Sequence, residues 1–170
     1  MMPKCYPETF LNIDINEYSK TIELLYNFFK DELLNKIFFN SKEVMFRMYP
    51  PEGKDKEEAF YHLTHTDYKG ETDDRYLDIE RSKRLNLLKP IIQNVNICPT
   101  CIETDCGQIL LWKEPFKKTI RYYLYLQDKQ YIVILEERQT FYLVISAFYV
   151  YPEQEDKFLK RFEENKIDYL

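Results

Sequence analysis

The stretch covering residues 120–150 constrains this chain more than any other. Three β-rich runs follow one another there, 120–126, 131–137 and 141–150, separated by short polar links. The first alternates Ile120, Tyr122, Leu124 and Leu126 against Arg121, Tyr123 and Tyr125, the period of two that a pleated strand imposes on its side chains. Links this short join antiparallel neighbours, because a parallel connection needs a dozen residues or more. The expected product is a three-stranded meander.

Composition points the same way. Tyr and Phe number 15 and 12 but Gly only 3, a bias that suits half-buried pleated surfaces and leaves few tight positive-φ turns. Upstream, Ile22, Leu25, Tyr26, Phe29 and Leu33 recur at helical spacing and predict an amphipathic helix within residues 16–39. Residues 43–48 and 59–64 are expected to form two strands of a hairpin around Pro50, Pro51, Gly53 and a charged tip. Asp73 or Asp74 is expected to cap a helix over 76–88 that Pro90 ends, and a last helix is expected over 153–165. The class is α+β: a twisted antiparallel sheet, built from the C-terminal meander and the N-terminal hairpin, with helices packed on one side. The 170 residues are expected to form a single domain. It comprises a helical segment (about 16–39), a core (about 43–165) and a cysteine-containing loop (about 94–107).

Function classes narrow from charge and hydropathy. A net charge of −5 argues against a large non-specific nucleic-acid footprint and leaves room for a local basic cleft. No stretch approaches the ~20 apolar residues a membrane span needs, and the N-terminus has no apolar signal core. The expected compartment is the cytoplasm, where thiols stay reduced.

Three constellations carry chemistry. Arg81 and Arg84, three apart on one helical face with Leu77 and Leu88 beside them, offer planar forks that match phosphate oxygens. Spacing alone favours local pairing with Asp74, Asp78 and Glu80 instead. The two histidines, His62 and His65, sit at the end of the second expected strand, where alternation sends them to opposite faces, so that one at most faces a site; a surface or hydrogen-bonded structural role fits the pair equally well. Cys98, Cys101 and Cys106 invite a zinc reading, but a structural zinc needs a fourth ligand, which Cys5 or a histidine supplies only by folding back. A loop with reduced thiols is favoured.

Taken together, His62, the run from Arg75 through Arg81, Arg84 and Pro90 to Ile91 and Ile92, the strands around Arg121 and Glu136, and Ser146-Ala147-Phe148 resemble the barnase/EndoU/colicin/RelE-like (BECR) nucleases of phages and mobile elements. In that pattern an aromatic and a His precede an Arg, an Arg-x-x-Arg and a Pro-Ile segment, and a Thr-Ala-Tyr follows late. The likeness spans about residues 60–162. Ser146 stands in place of the Thr, Leu87 where an aromatic is often found, and the cysteine loop is an insertion.

The resemblance implies a metal-independent endoribonuclease without cofactor, acting on RNA such as tRNA or ribosome-associated RNA. It also implies a toxin, phage or defence setting and an antitoxin or immunity partner, with no membrane. It gives His62 the acid or base role and Arg75, Arg81 and Arg84 the phosphate. Ser146 would bond the scissile phosphate or orient His62, while Arg121, Tyr123, His65 and Lys69 would extend the substrate surface; for Tyr123, on one strand face with Arg121, cross-strand packing is favoured instead. The alternatives are a non-catalytic RNA- or protein-binding module on the same fold and a small zinc-stabilised regulatory protein.

Overall fold

The computed structural model describes residues 5–66, 76–101 and 107–167, and the expected meander is there with one strand more. Strands β3 (Ile109–Phe116), β4 (Thr119–Leu126), β5 (Tyr131–Glu137) and β6 (Phe141–Tyr149) pair antiparallel in sequence order. β3 begins with the continuous apolar run Ile109-Leu110-Leu111-Trp112, whose lack of alternation hides it from a period-of-two reading. Its Pro115 is tolerated because β3 is an edge strand, where a missing N–H breaks no ladder on the open side.

The N-terminal hairpin differs from the expected one. Its strands are β1 (Phe38–Phe39) and β2 (Lys42–Met45), joined by Asn40 and Ser41. Both turn residues have positive φ, 50° and 65°, the left-handed pair that two-residue hairpins favour. β2 then lies parallel to β6, so the sheet is mixed rather than wholly antiparallel, in the order β1-β2-β6-β5-β4-β3.

The second expected hairpin arm is instead helix α2 (Glu58–Thr64). Its buried residues, Ala59, Phe60, Leu63 and Thr64, fall on one helical face, and that packing overrides the β preference of its aromatics.

The remaining helices shift in extent. α1 (Tyr18–Phe28) continues as a π-helical turn, Phe29–Leu33, and buries Leu25, Phe29 and Leu33, while the tail of the expected helix becomes β1. α3 (Ile79–Lys83) is capped by Asp78, whose Oδ1 accepts from the Arg81 N–H at 3.0 Å. Asp73 and Asp74 lie outside the described residues. After a 3-10 turn, Leu85–Leu87, comes α4 (Leu88–Asn94). Pro90 is its third residue, where no intrahelical N–H is needed, so the proline does not stop it. α5 (Pro152–Asn165) closes the chain.

Helices cover both faces of the sheet, correcting the one-sided expectation. On one face Phe60, Leu63, Leu88 and Ile91 pack with Leu124, Val133 and Val144. On the other, Phe158 of α5, with Leu159 and Phe162, packs on Trp112, Tyr125 and Ile132. The central strand β5 is apolar at five consecutive positions, 131–135, and all five are buried, which requires cover on both sides. Among the described residues no helix is long and apolar enough to cross a membrane.

Candidate active site

The last turn of α2 presents free carbonyls, as every helix C-terminus does, and α3 supplies the donors. The Arg81 guanidinium donates from Nη1 to the carbonyl oxygens of both His62 and His65, each at 2.9 Å. Asp78 Oδ2 lies 3.5 Å from Arg81 Nε. The Ser82 hydroxyl and the Asp78 N–H both donate to the Thr64 carbonyl, at 2.7 and 2.9 Å, and His65 bridges to Leu77. The histidine helix and the arginine helix are therefore one bonded unit. Their spacing in sequence could not reveal this, and it makes Arg81 the cap of α2.

His65 is 3 % exposed, and its surroundings fix its ring. The Thr64 hydroxyl donates to the Phe60 carbonyl at 2.6 Å, so at its 2.7 Å contact with His65 Nδ1 the hydroxyl oxygen accepts. Nδ1 therefore carries the proton, and in the neutral ring Nε2 holds the lone pair.

His65 lines a cavity of about 480 Å³, with Tyr18 and Ile22 of α1, Lys54 and Lys56 of the preceding loop, and Tyr61. The Tyr61 hydroxyl donates to Asp55 Oδ1 at 3.0 Å, and Lys56 Nζ is 2.9 Å from Asp55 Oδ2. Burial first, then the Asp55 carboxylate, pushes the Tyr61 phenol above its ordinary range, so it stays a donor at neutral pH.

The other histidine takes a different partner. His62 Nε2 is 3.1 Å from Glu58 Oε1, one turn earlier, and the same oxygen is 3.7 Å from Arg47 Nη1. The strand alternation expected for the pair does not apply on a helix. His62 and His65 instead lie three positions apart at a helix end.

Arg84 is 6 % exposed and bonded through both Nε and Nη1. Its Nε donates to the Lys129 carbonyl at 2.8 Å, and its Nη1 donates to the Glu80 carbonyl at 2.9 Å and to Glu80 Oε2 at 2.5 Å. The guanidinium carbon lies 4.5 Å from the Phe10 ring centroid and 4.1 Å from that of Tyr149. Burial pushes the Glu80 carboxyl up, but Arg84 and Lys83 outweigh it and hold the group below the ordinary carboxylate range. The local pairing favoured by spacing is what surrounds both arginines.

The remaining expected residues are dispersed. Ser146 sits beside a β-bulge, paired with Ile134 on the face that α5 covers. Arg121 pairs with buried Glu136 at 3.1 Å and stacks on Phe116, and Glu136 also meets Arg138 at 2.5 Å. Arg121 lies five positions before Leu126, about 17 Å along β4 from the strand end, whereas Arg84 bonds the Lys129 carbonyl in the turn beyond that end. Tyr123 is 7 % exposed, stacked at 5.2 Å on Trp112 beneath Arg161, so its ring offers no face to a base. Arg75, Lys69 and Cys106 lie outside the described residues. Cys98 accepts from the Ile109 N–H at 3.3 Å and Cys101 is exposed. Among the described residues no three His, Cys, Asp or Glu side chains are placed to hold a metal ion.

Sequence reasoning passed over Lys54, Lys56, Tyr61 and Thr64. The adjacency of Thr64 to His65 was the available signal for an oriented imidazole. No protein-family model, curated protein or solved structure matches the chain.

Proposed function

We propose that the protein is a metal-independent endoribonuclease of BECR-like type whose acid–base residue is His65 rather than His62. The observation that carries this is the buried imidazole of His65, oriented by Thr64 at the wall of a cavity that also holds Lys54 and Lys56. A base held in one tautomer by a second group is the arrangement that proton transfer needs. The ribose 2′-oxygen attacks the adjacent phosphorus and its proton passes to His65. The P–O5′ bond breaks, leaving a 2′,3′-cyclic phosphate, and the 5′-oxygen takes a proton from solvent. The two lysines offset the charge that develops on the phosphate oxygens. Arg81 acts by positioning, since its bonds hold the backbone of both histidines. The cytoplasmic RNA target, the toxin or defence setting and an antitoxin partner follow from the resemblance alone.

One observation favours a second reading, an RNA-binding module without catalysis. Both described arginines of the α3 segment are tied into backbone and carboxylate bonds, and this withdraws two of the expected phosphate ligands. Incubation with tRNA and total RNA in EDTA separates the two. Discrete cleavage supports the nuclease, and saturable binding with intact RNA supports the module. Neither cleavage nor binding overturns both.

A further inference from the structure

A second cavity, of about 620 Å³, opens where the β1–β2 turn meets the ends of β4, β5 and β6. We propose that it is a nucleobase-binding site that reads the hydrogen-bonding edge of an unpaired base. The assignment of a nucleobase, rather than some other planar amide, rests on the RNA reading above.

The walls are polar and linked in series. The Asn96 side-chain amide donates to Asn40 Oδ1 at 3.3 Å, and the Asn40 amide donates to the Tyr142 hydroxyl at 3.2 Å. Tyr142 is 2 % exposed and meets Tyr122, 5 % exposed, edge to face at 5.5 Å. Asn40 is held in this geometry by the left-handed turn, where it has φ 50°.

Two features select the ligand. First, the cavity is balanced in charge: Lys42 Nζ lies 3.5 Å from Glu137 Oε1 and donates to the Arg138 carbonyl at 3.3 Å. An anion gains little in such a site, whereas a neutral group with donors and acceptors side by side finds both in reach. The His65 cavity differs in carrying a second lysine, Lys54, beside the Lys56–Asp55 pair. Second, Asn96 Oδ1 is buried without a hydrogen-bond partner, and the Glu137 carboxylate offers further acceptor capacity. Acceptors beside amide and ammonium donors fit the N–H and C=O pattern of a base edge, the part of single-stranded RNA that proteins read. Tyr122, raised above its ordinary range by burial and then by Tyr142 and Glu137, stays a phenol whose hydroxyl is shared with those two neighbours.

Titration with free nucleosides tests this apart from cleavage, since a nucleoside has no phosphodiester to cut. Guanosine, adenosine, cytidine and uridine are each titrated by ligand-observed NMR into wild type, Glu137→Gln, Lys42→Met and His65→Asn, with maltose as the control. The account expects saturable binding of at least one nucleoside. It expects at least tenfold weakening in Glu137→Gln or Lys42→Met at unchanged melting temperature, and wild-type binding in His65→Asn. Absence of saturation by all four, binding unchanged in both cavity variants, or saturation by maltose alone overturns it. RNA cleavage in EDTA on the same preparations reports separately on the nuclease reading.

Discussion

Replacing Arg84 by methionine separates a structural arginine from a phosphate-binding one. The side chain is 6 % exposed, and three polar groups accept from it: the Lys129 carbonyl, the Glu80 carbonyl and the Glu80 carboxylate. Methionine restores much of the volume between Phe10 and Tyr149 but none of the donors. A hydrogen bond from a charged donor contributes about 1.5–3 kcal/mol, and breaking a buried pair costs about 3–5 kcal/mol. The Glu80 carboxylate is partly exposed and recovers water, so about 3–5 kcal/mol in total is the expected loss. For a chain of this size that lowers the melting temperature by roughly 6–20 °C. Calorimetry or circular dichroism measures it, with RNA cleavage or binding assayed well below the variant's transition. The account expects a large loss of stability with function retained in the folded fraction. A variant that melts like wild type yet loses all action on RNA would refute this reasoning and return Arg84 to the phosphate.

Two further substitutions test the scaffold. The Glu114 carboxyl is held below its ordinary range by bidentate bonds from Arg161 at 2.8 and 2.7 Å, with burial opposing and the Trp112 indole adding. A depressed folded pKa gives stability that is fully present above the unfolded value, about 4.3, and lost as pH falls through the folded one. Glu114→Gln is therefore expected to melt earlier at pH 7 and to show a flatter acid limb below about pH 5 in a melting series. An unchanged acid limb would contradict the assignment. At Gly107 an added Cβ would lie 2.5 Å from the Asp128 backbone nitrogen and 2.8 Å from its Cβ. Gly107→Ala is expected to destabilise by about 1–3 kcal/mol in urea unfolding, because backbone must move. A neutral result would show that the loop holding Gly107 is placed otherwise.

The legible part of the fold is the part where period and environment agree. β4 and β6 present alternating or aromatic faces with short links, and their positions follow from those residues. α2 was illegible as a helix because Phe60 and Tyr61 carry a β preference, and only the packing of Phe60 and Leu63 beneath the sheet decides the matter. β3 was hidden by four successive apolar residues that serve both faces. The parallel contact of β2 with β6 joins segments about a hundred positions apart, and no local pattern encodes it.

For the site, residue types were legible and roles were not. Arg81 and Arg84 do share a segment with acidic partners, as spacing favoured, yet that Arg81 binds the backbone of the histidine helix depends on how α2 and α3 dock. The orientation of His65 depends on whether Thr64 sits on a helix, where its hydroxyl reaches the carbonyl four residues back, or on a strand, where it does not.

The most direct test of the central claim is the rate of tRNA cleavage in EDTA by wild type, His65→Asn and His62→Ala, with the product ends identified. Asparagine retains a donor to Thr64 near the position of Nδ1 but supplies no base at Nε2. The account predicts cleavage by wild type to 2′,3′-cyclic phosphate ends and a fall of at least a hundredfold in His65→Asn, within the 10²–10⁴ range of general acid–base catalysis. It predicts a change of less than about tenfold in His62→Ala, and both variants folded. Wild-type rates in His65→Asn, or abolition in His62→Ala alone, would contradict it.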